Sequence, residues 1–248
     1  MRPTLSLIKR EFTAYFLSPI AYVVLAVFLL VTGHLFYLTL NLLTESGPRG
    51  IEYPMQALLG DEKFWLVYLF IPPLLTMRLF AEERGSGTLE MLMTAPIHDW
   101  QVVISKFIAC YLFYLVLWIP TIVYWPVLMG FGAIDPWPVF TSYLGVFLAG
   151  AMFLALGLFV SSLVRSQMVA ALVSLILSLF FIVAGFWRPE LDPSSLVYQI
   201  IYYVSVPMHF NREFTRGILS TSHVLLYLSM TVFFLFLTVR SLESRRWK

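Results

Sequence analysis

Six long apolar runs decide what this chain can fold into. They lie at Ile20–Leu43, Phe64–Phe80, Val102–Met129, Val139–Val164, Met168–Trp187 and Thr221–Val239, and charge is nearly absent from their interiors. An α-helix needs roughly 20 apolar residues to cross a bilayer. In lipid the backbone must satisfy its own hydrogen bonds, so such runs span as helices. The composition agrees: 60% of residues are hydrophobic and 12% charged, against roughly 25% charged in soluble domains. The mean hydropathy is +0.84. The expected fold is all-α: one polytopic membrane domain over 1–248 with six transmembrane helices. A net charge of +2 without a basic stripe excludes a nucleic-acid partner.

Prolines and small residues modulate the spans. Pro72-Pro73 predicts a kink in the short second run, and Pro126 marks the outer end of the third. Gly145/Ala149 and Ala151/Ala155 have the small-xxx-small spacing that lets a neighbouring helix approach closely. His34 lies within the first run and reads as a packing or interfacial histidine. Cys110, the single cysteine, lies in an apolar run and forms no intrachain disulfide.

Lysine and arginine set the orientation. With the N-terminus inside, eleven of the 16 fall on the inner side; Arg49, Lys63, Arg188, Arg212 and Arg216 fall outside. Both termini are therefore expected in the cytoplasm. Before the first run, Leu5, Ile8, Phe12, Tyr15 and Phe16 share one helical face. Residues 1–18 thus read as an interfacial amphipathic helix rather than a signal peptide.

The loop at 81–100 is more than a chain reversal. Leu89, Leu92 and Met93 fall on one helical face and Pro96 closes the segment, the pattern of a short helix with an apolar surface to dock on. Cytoplasmic water offers none, so the expected surface is a soluble partner protein. Glu82, Glu83 and Arg84 precede it at the base of the second run and are expected to pair with Lys9 or Arg10 or with that partner. Gly85-Ser86-Gly87-Thr88 lacks the lysine of a phosphate-binding loop and reads as a flexible lead-in.

The segment 188–220 is too apolar for a solvated loop, and its apolar stretch is too short to span. It is expected to form re-entrant or interfacial outer helices. A helix starting at Pro207 would carry His209 and Phe210, placed to gate an outer exit or to anchor the segment. There is no H-E-x-x-H, G-x-S-x-G or G-x-x-x-x-G-K-[ST]. No catalytic residue, metal ligand or cofactor site is assigned. Uncharged spans also argue against a proton-driven carrier.

The stretch Thr76-Met77-Arg78-Leu79-Phe80-Ala81-Glu82-Glu83-Arg84-x-Ser86-Gly87-Thr88-Leu89-Glu90-x-Leu92 resembles the ABC-2 class of ABC transporter permeases. Three further stretches are similar to the branch typified by the gliding-motility permease subunit. They are Lys9-Arg10-Glu11-Phe12 with Tyr15-Phe16-x-Ser18-Pro19, Pro207-Met208-His209-Phe210 with Phe214-x-Arg216-Gly217, and Val239 to Trp247. The resemblance implies an exporter subunit in a bacterial cytoplasmic membrane, without catalysis of its own. It also implies a coupling helix within 81–100, which includes Glu90. The implied partners are an ABC ATPase that binds the ATP, a second permease (identical or different) and membrane lipid. The rival expectation is a non-transporting anchor that passes ATPase motion to an extracytoplasmic machine.

Overall fold

The computed structural model describes residues 2–46, 54–88, 98–130, 135–183 and 195–244, and every regular element among them is helical. An N-terminal helix, α1 (Arg2–Phe16), leads after a short turn into α2 (Pro19–Ser46). The run expected as a second span is divided into α4 (Glu62–Tyr68) and α5 (Ile71–Thr76), preceded by a short α3 (Pro54–Leu59). The cause is local. Pro72 and Pro73 have no N–H to donate, so they sit in the first turn of a new helix, where no donor is needed. The Thr76 hydroxyl donates to the Pro72 carbonyl at 2.8 Å. A further break precedes α6 (Ala81–Gly85).

The third run is α7 (Asp99–Trp118), a 3₁₀ turn at Ile119–Val123 around Pro120, and α8 (Tyr124–Met129). Next come α9 (Pro136–Leu163), α10 (Gln167–Val183), the short α11 (Leu196–Val204) and α12 (Val206–Arg212), and finally α13 (Thr221–Glu243). Among the described residues, four helical stretches are long and apolar enough to cross a membrane: Pro19–Glu45, Asp99–Met129, Pro136–Leu163 and Thr221–Glu243. The α10 helix is apolar but has 17 described residues.

The helices are apolar outside and partly polar inside. On α10 the buried positions are Ala170, Ser174, Ser178 and Ile182, while Leu172, Ile176 and Phe180 are exposed. On α13, Thr231 and Thr238 are buried while Val232, Phe233 and Phe236 are exposed. Water would not leave such a surface bare, whereas lipid tails accept it and leave small and hydroxyl side chains to fill helix contacts. Ser174, Thr231 and Thr238 satisfy their hydroxyls on their own helices, as Ser174 does on Ala170 O at 2.7 Å. His34 is exposed on α2, the face left to lipid or another chain.

The centre of the bundle is α9, packed most extensively against α13 and also against α10, α7 and α5. Its small residues are the points of approach. A Cβ at Gly150 would overlap the Tyr114 ring, and one at Gly157 would overlap the Thr76 side chain. Tyr114 is fully buried; it donates to Val146 O and meets the Tyr68 hydroxyl, both at 3.0 Å. It therefore has little room to retreat. Gly150→Ala should destabilise the bundle by about 1–3 kcal/mol through overpacking. Thermal unfolding in detergent checks this, and an unchanged midpoint would show that α7 and α9 are not this close.

Candidate functional site

At the end of the bundle that carries α1, one buried lysine joins three elements. Lys106, on α7, keeps 3% of its side chain exposed. Its Nζ lies 2.7 Å from Glu83 Oε1 on α6 and 3.3 Å from Glu11 Oε2 on α1. It also sits 5.3 Å above the Phe80 ring. Arg10 contacts the other Glu11 oxygen at 2.8 Å. Burial pushes the Glu11 carboxyl up, but the Lys106 and Arg10 cations outweigh it, so Glu11 titrates below its ordinary 4.5. The expected pairing of Glu83 with Lys9 or Arg10 is replaced: Lys106 stands between the acidic segment and α1.

The same segment is fastened on its other side to α9. The Phe80 and Ala81 N–H groups both donate to Ser161 Oγ at 3.1 Å, and Ser161 donates to Met77 O at 3.1 Å. These amides open a helix and have no partner within it, so a neighbouring side chain supplies the cap. Arg84 Nη1 donates to Ser162 O at 2.8 Å, placing a cation on the carbonyl end of α9. Behind the joint, Tyr15 donates to Leu75 O at 2.8 Å, stacks on Phe113 at 4.9 Å and carries the Arg78 guanidinium 4.8 Å from its ring centre. Gly87 then turns the chain with a φ of 75°, a conformation in which a Cβ is strained. Thr88 Oγ1 meets Ser86 Oγ at 2.9 Å across that turn.

The expected site residues thus divide. Glu82, Glu83, Arg84, Gly87 and Thr88 belong to this joint, with Glu82 on its exposed face. Leu89, Glu90, Leu92, Met93 and Pro96 lie outside the described residues.

A family model described as "ABC-2 family transporter protein" matches residues 5–245, nearly the whole chain. The chain belongs to this family. No curated protein is similar enough to it to be matched. As an ABC-2 family transporter protein with apolar-faced long helices, it is an integral, multi-pass membrane protein.

The far end of this ABC-2 protein holds a second polar cluster. Ser205 caps α12, its Oγ accepting from Met208 N at 3.4 Å, and Pro207 occupies the first turn. His209 is fully buried, with Nε2 2.8 Å from Tyr202 O and Nδ1 2.8 Å from the Tyr227 hydroxyl. A carbonyl only accepts, so Nε2 carries the proton. Burial, then the neighbouring His223, push this imidazole down to about 3, so it is neutral and Nδ1 accepts from Tyr227. His223 stacks on it at 3.8 Å and is held by Glu213 at 2.7 Å, while Tyr202 donates to the other Glu213 oxygen at 2.5 Å. Phe210 is also fully buried, 4.7 Å from Trp65 and 5.2 Å from Phe214, where Gly145 leaves space.

Sequence reasoning placed Lys106 only as an inner charge and missed Glu11, Ser161, Glu213 and His223. A lysine within an apolar run was the available signal, because such a charge needs a partner.

Lys106→Met removes the buried cation that Glu83 and Glu11 share, leaving Glu11 only the exposed Arg10, and should destabilise the protein by about 3–5 kcal/mol, as broken buried pairs do. The pH dependence has a definite sign. The Glu11 pKa is lowered on folding, so its stabilisation is present above 4.5 and is lost as pH falls through the folded value. Melting midpoints taken across that range should fall with acid in the parent chain and flatten in Lys106→Met. Parallel curves would remove Glu11 from the joint.

Proposed function

We propose that this chain is the membrane-spanning permease subunit of an ABC transporter that exports its substrate. A separate ATPase chain binds and hydrolyses the ATP. The permease has no catalytic centre or cofactor of its own, and it pairs with a second permease, identical or different. Its place is the cytoplasmic membrane of a bacterium, with both termini inside and six spans, the divided α4–α5 region counting as the second. The interfacial helix is 1–18, the coupling loop 81–100 and the outer re-entrant segment 188–220.

One observation carries this reading. The chain leading into the coupling loop is tied to α9 by Ser161 and Arg84 and to α7 and α1 by Lys106. A loop that merely joined two spans would need no such fastening. A loop that receives force from a partner needs it, because motion travels only through elements that shift as a unit. In this reading Leu89, Leu92 and Met93 dock in a groove of the ATPase, Pro96 ends the docking helix, and Glu82, Glu83, Arg84, Gly87, Thr88 and Glu90 link it to the spans. Pro207, His209 and Phe210 close the outer end of the path. The burial of all three, with Phe210 against Trp65 and Phe214 and His209 bonded to Tyr202 and Tyr227, supports closure by a packed cap.

The rival reading, an anchor that transmits ATPase motion without transport, shares the joint but needs no path for a substrate. Leu92→Glu in the full chain, co-expressed with its ATPase, tests docking. A charge in an apolar groove should cost several kcal/mol and abolish co-purification. Normal retention of the ATPase would place these leucines against the permease's own spans.

A further inference from the structure

The stacked His209 and His223 sit where α11, α12 and α13 meet. His209 uses both ring nitrogens: Nε2–H donates to Tyr202 O on α11 and Nδ1 accepts from the Tyr227 hydroxyl on α13, each at 2.8 Å. His223, its ring 3.8 Å away, is bonded through Nδ1 to Glu213 Oε2 at 2.7 Å. Glu213 is the only carboxylate within 4.0 Å of either imidazole among the described residues. The other helices packed against α12 are α3, α9 and α10, and they carry no Asp, Glu, Lys, Arg or His over 54–59, 136–163 and 167–183. The one tyrosine of α9, Tyr143, is turned to Thr121 O. Asp61, in the loop after α3, caps α4 by accepting from Lys63 N–H. On α11, Tyr203 flanks His223 at 6.4 Å. The remaining charges on these segments are positive. Arg212 lies 5.6 and 5.5 Å from the Tyr198 and Tyr202 ring centres, and Arg216 is exposed on the 3₁₀ turn Phe214–Arg216. The two rings therefore have counter-charge for one cation and not for two.

We propose that this cluster is a proton-sensitive latch: it holds 196–217 against α13 while His209 is neutral, and acid loosens it by protonating both rings. In the closed cluster a proton on His209 Nδ1 would meet the Tyr227 hydroxyl. That hydroxyl can turn to accept, but the charge stays buried against a second imidazole that already engages the one carboxylate. A buried charge without a partner is costly, so the second proton is taken up when the segment parts from α13. Water reaches the cluster at Glu213, whose side chain is 15% exposed. The sign follows from His209, which burial and then His223 hold at about 3, below an ordinary 6.5. Between those values the closed form binds fewer protons than the open form. Opening therefore gains as pH falls through 6.5 and stops gaining near 3. Protonation of paired histidines is a recurrent way to release a packed interface. That acid outside would thereby loosen the closure of a transport path rests on the function proposed above. The latch itself rests on these contacts alone.

The test is amide hydrogen exchange, read by mass spectrometry on the purified full chain in detergent from about pH 7.5 to about pH 4.5. It uses neither ATPase nor substrate, so its outcome is independent of the transport reading. Each rate is divided by that of the unstructured peptide at the same pH, which removes the pH dependence of the exchange chemistry. Protection of the amides in 196–217 should be steady above about pH 6.5 and fall about tenfold per pH unit below it, one proton being linked to opening. The amides of α9 should keep their protection over the same range. His209→Gln keeps one donor and one acceptor but binds no proton, and it should flatten the fall. Glu213→Gln keeps an accepting oxygen but leaves the closed cluster no carboxylate, so both rings must be neutral there. Its fall should steepen toward about a hundredfold per pH unit, the slope for two protons. Steady protection of 196–217 in the parent chain overturns the proposal, as does an unaltered slope in folded His209→Gln. A parallel loss of protection in α9 would make the effect a general acid unfolding and also overturns it. A slope in Glu213→Gln no steeper than the parent's overturns it too, and this variant decides the matter if His209→Gln does not fold.

Discussion

The contact of Lys106 with Glu11 and Glu83 is the constraint on which this end of the molecule depends. A lysine buried at the start of a membrane helix is expensive, and two carboxylates from two other elements offset that cost only when both are in place. The ion cluster therefore acts as a register pin. It fixes how α1 lies across α7 and where the acidic segment leaves the bundle. Hydrophobic packing cannot set such a register alone, because in lipid apolar side chains gain little by choosing one neighbour over another.

Around that pin the same logic recurs with backbone groups and buried side chains. The divided α4–α5–α6 region frees backbone N–H groups at membrane depth, and each must find a partner within the protein. Ser161 takes two of them at once, and Arg84 takes the Ser162 carbonyl in the last turn of α9. At the other end the stacked His209 and His223, with Glu213, Tyr202 and Tyr227, form a cluster in which each of these polar side chains has a partner. One end is held by paired charge and the other by a hydrogen-bonded network that includes Glu213. Between them, α9 supplies glycines where aromatic rings press in.

The long helices were legible because length and apolarity alone predict α2, α9 and α13 within a few residues. The N-terminal helix was legible from its spacing, and the start of α12 from Pro207. The break at Pro72-Pro73 was visible as a kink, but its extent was not. Whether a proline bends a helix or ends it depends on partners such as Ser161 and Thr76, which come from elsewhere in the fold. The candidate site was half legible. Glu82, Glu83 and Arg84 stood out as a charged cluster at a span's edge. Their partners did not, since Lys106 is 23 residues from Glu83 and 95 from Glu11. Local sequence carries no record of such distant pairings. The bonds of Glu213 to Tyr202 and His223 were hidden in the same way.

The central claim is that the acidic segment and the end of α9 move as one body when an ATPase acts on the loop. Spin labels at Glu82→Cys and Ser166→Cys, both exposed and on either side of the Ser161 cap, test it in a chain whose buried Cys110 is replaced. The labelled permease is assembled with its ATPase, and the intrachain distance is measured by pulsed electron resonance without nucleotide and with ATP trapped. The account predicts the same narrow distance in both states. A distance that shifts or broadens with ATP would show that the segment moves independently of α9, and the joint would then be a hinge rather than a lever.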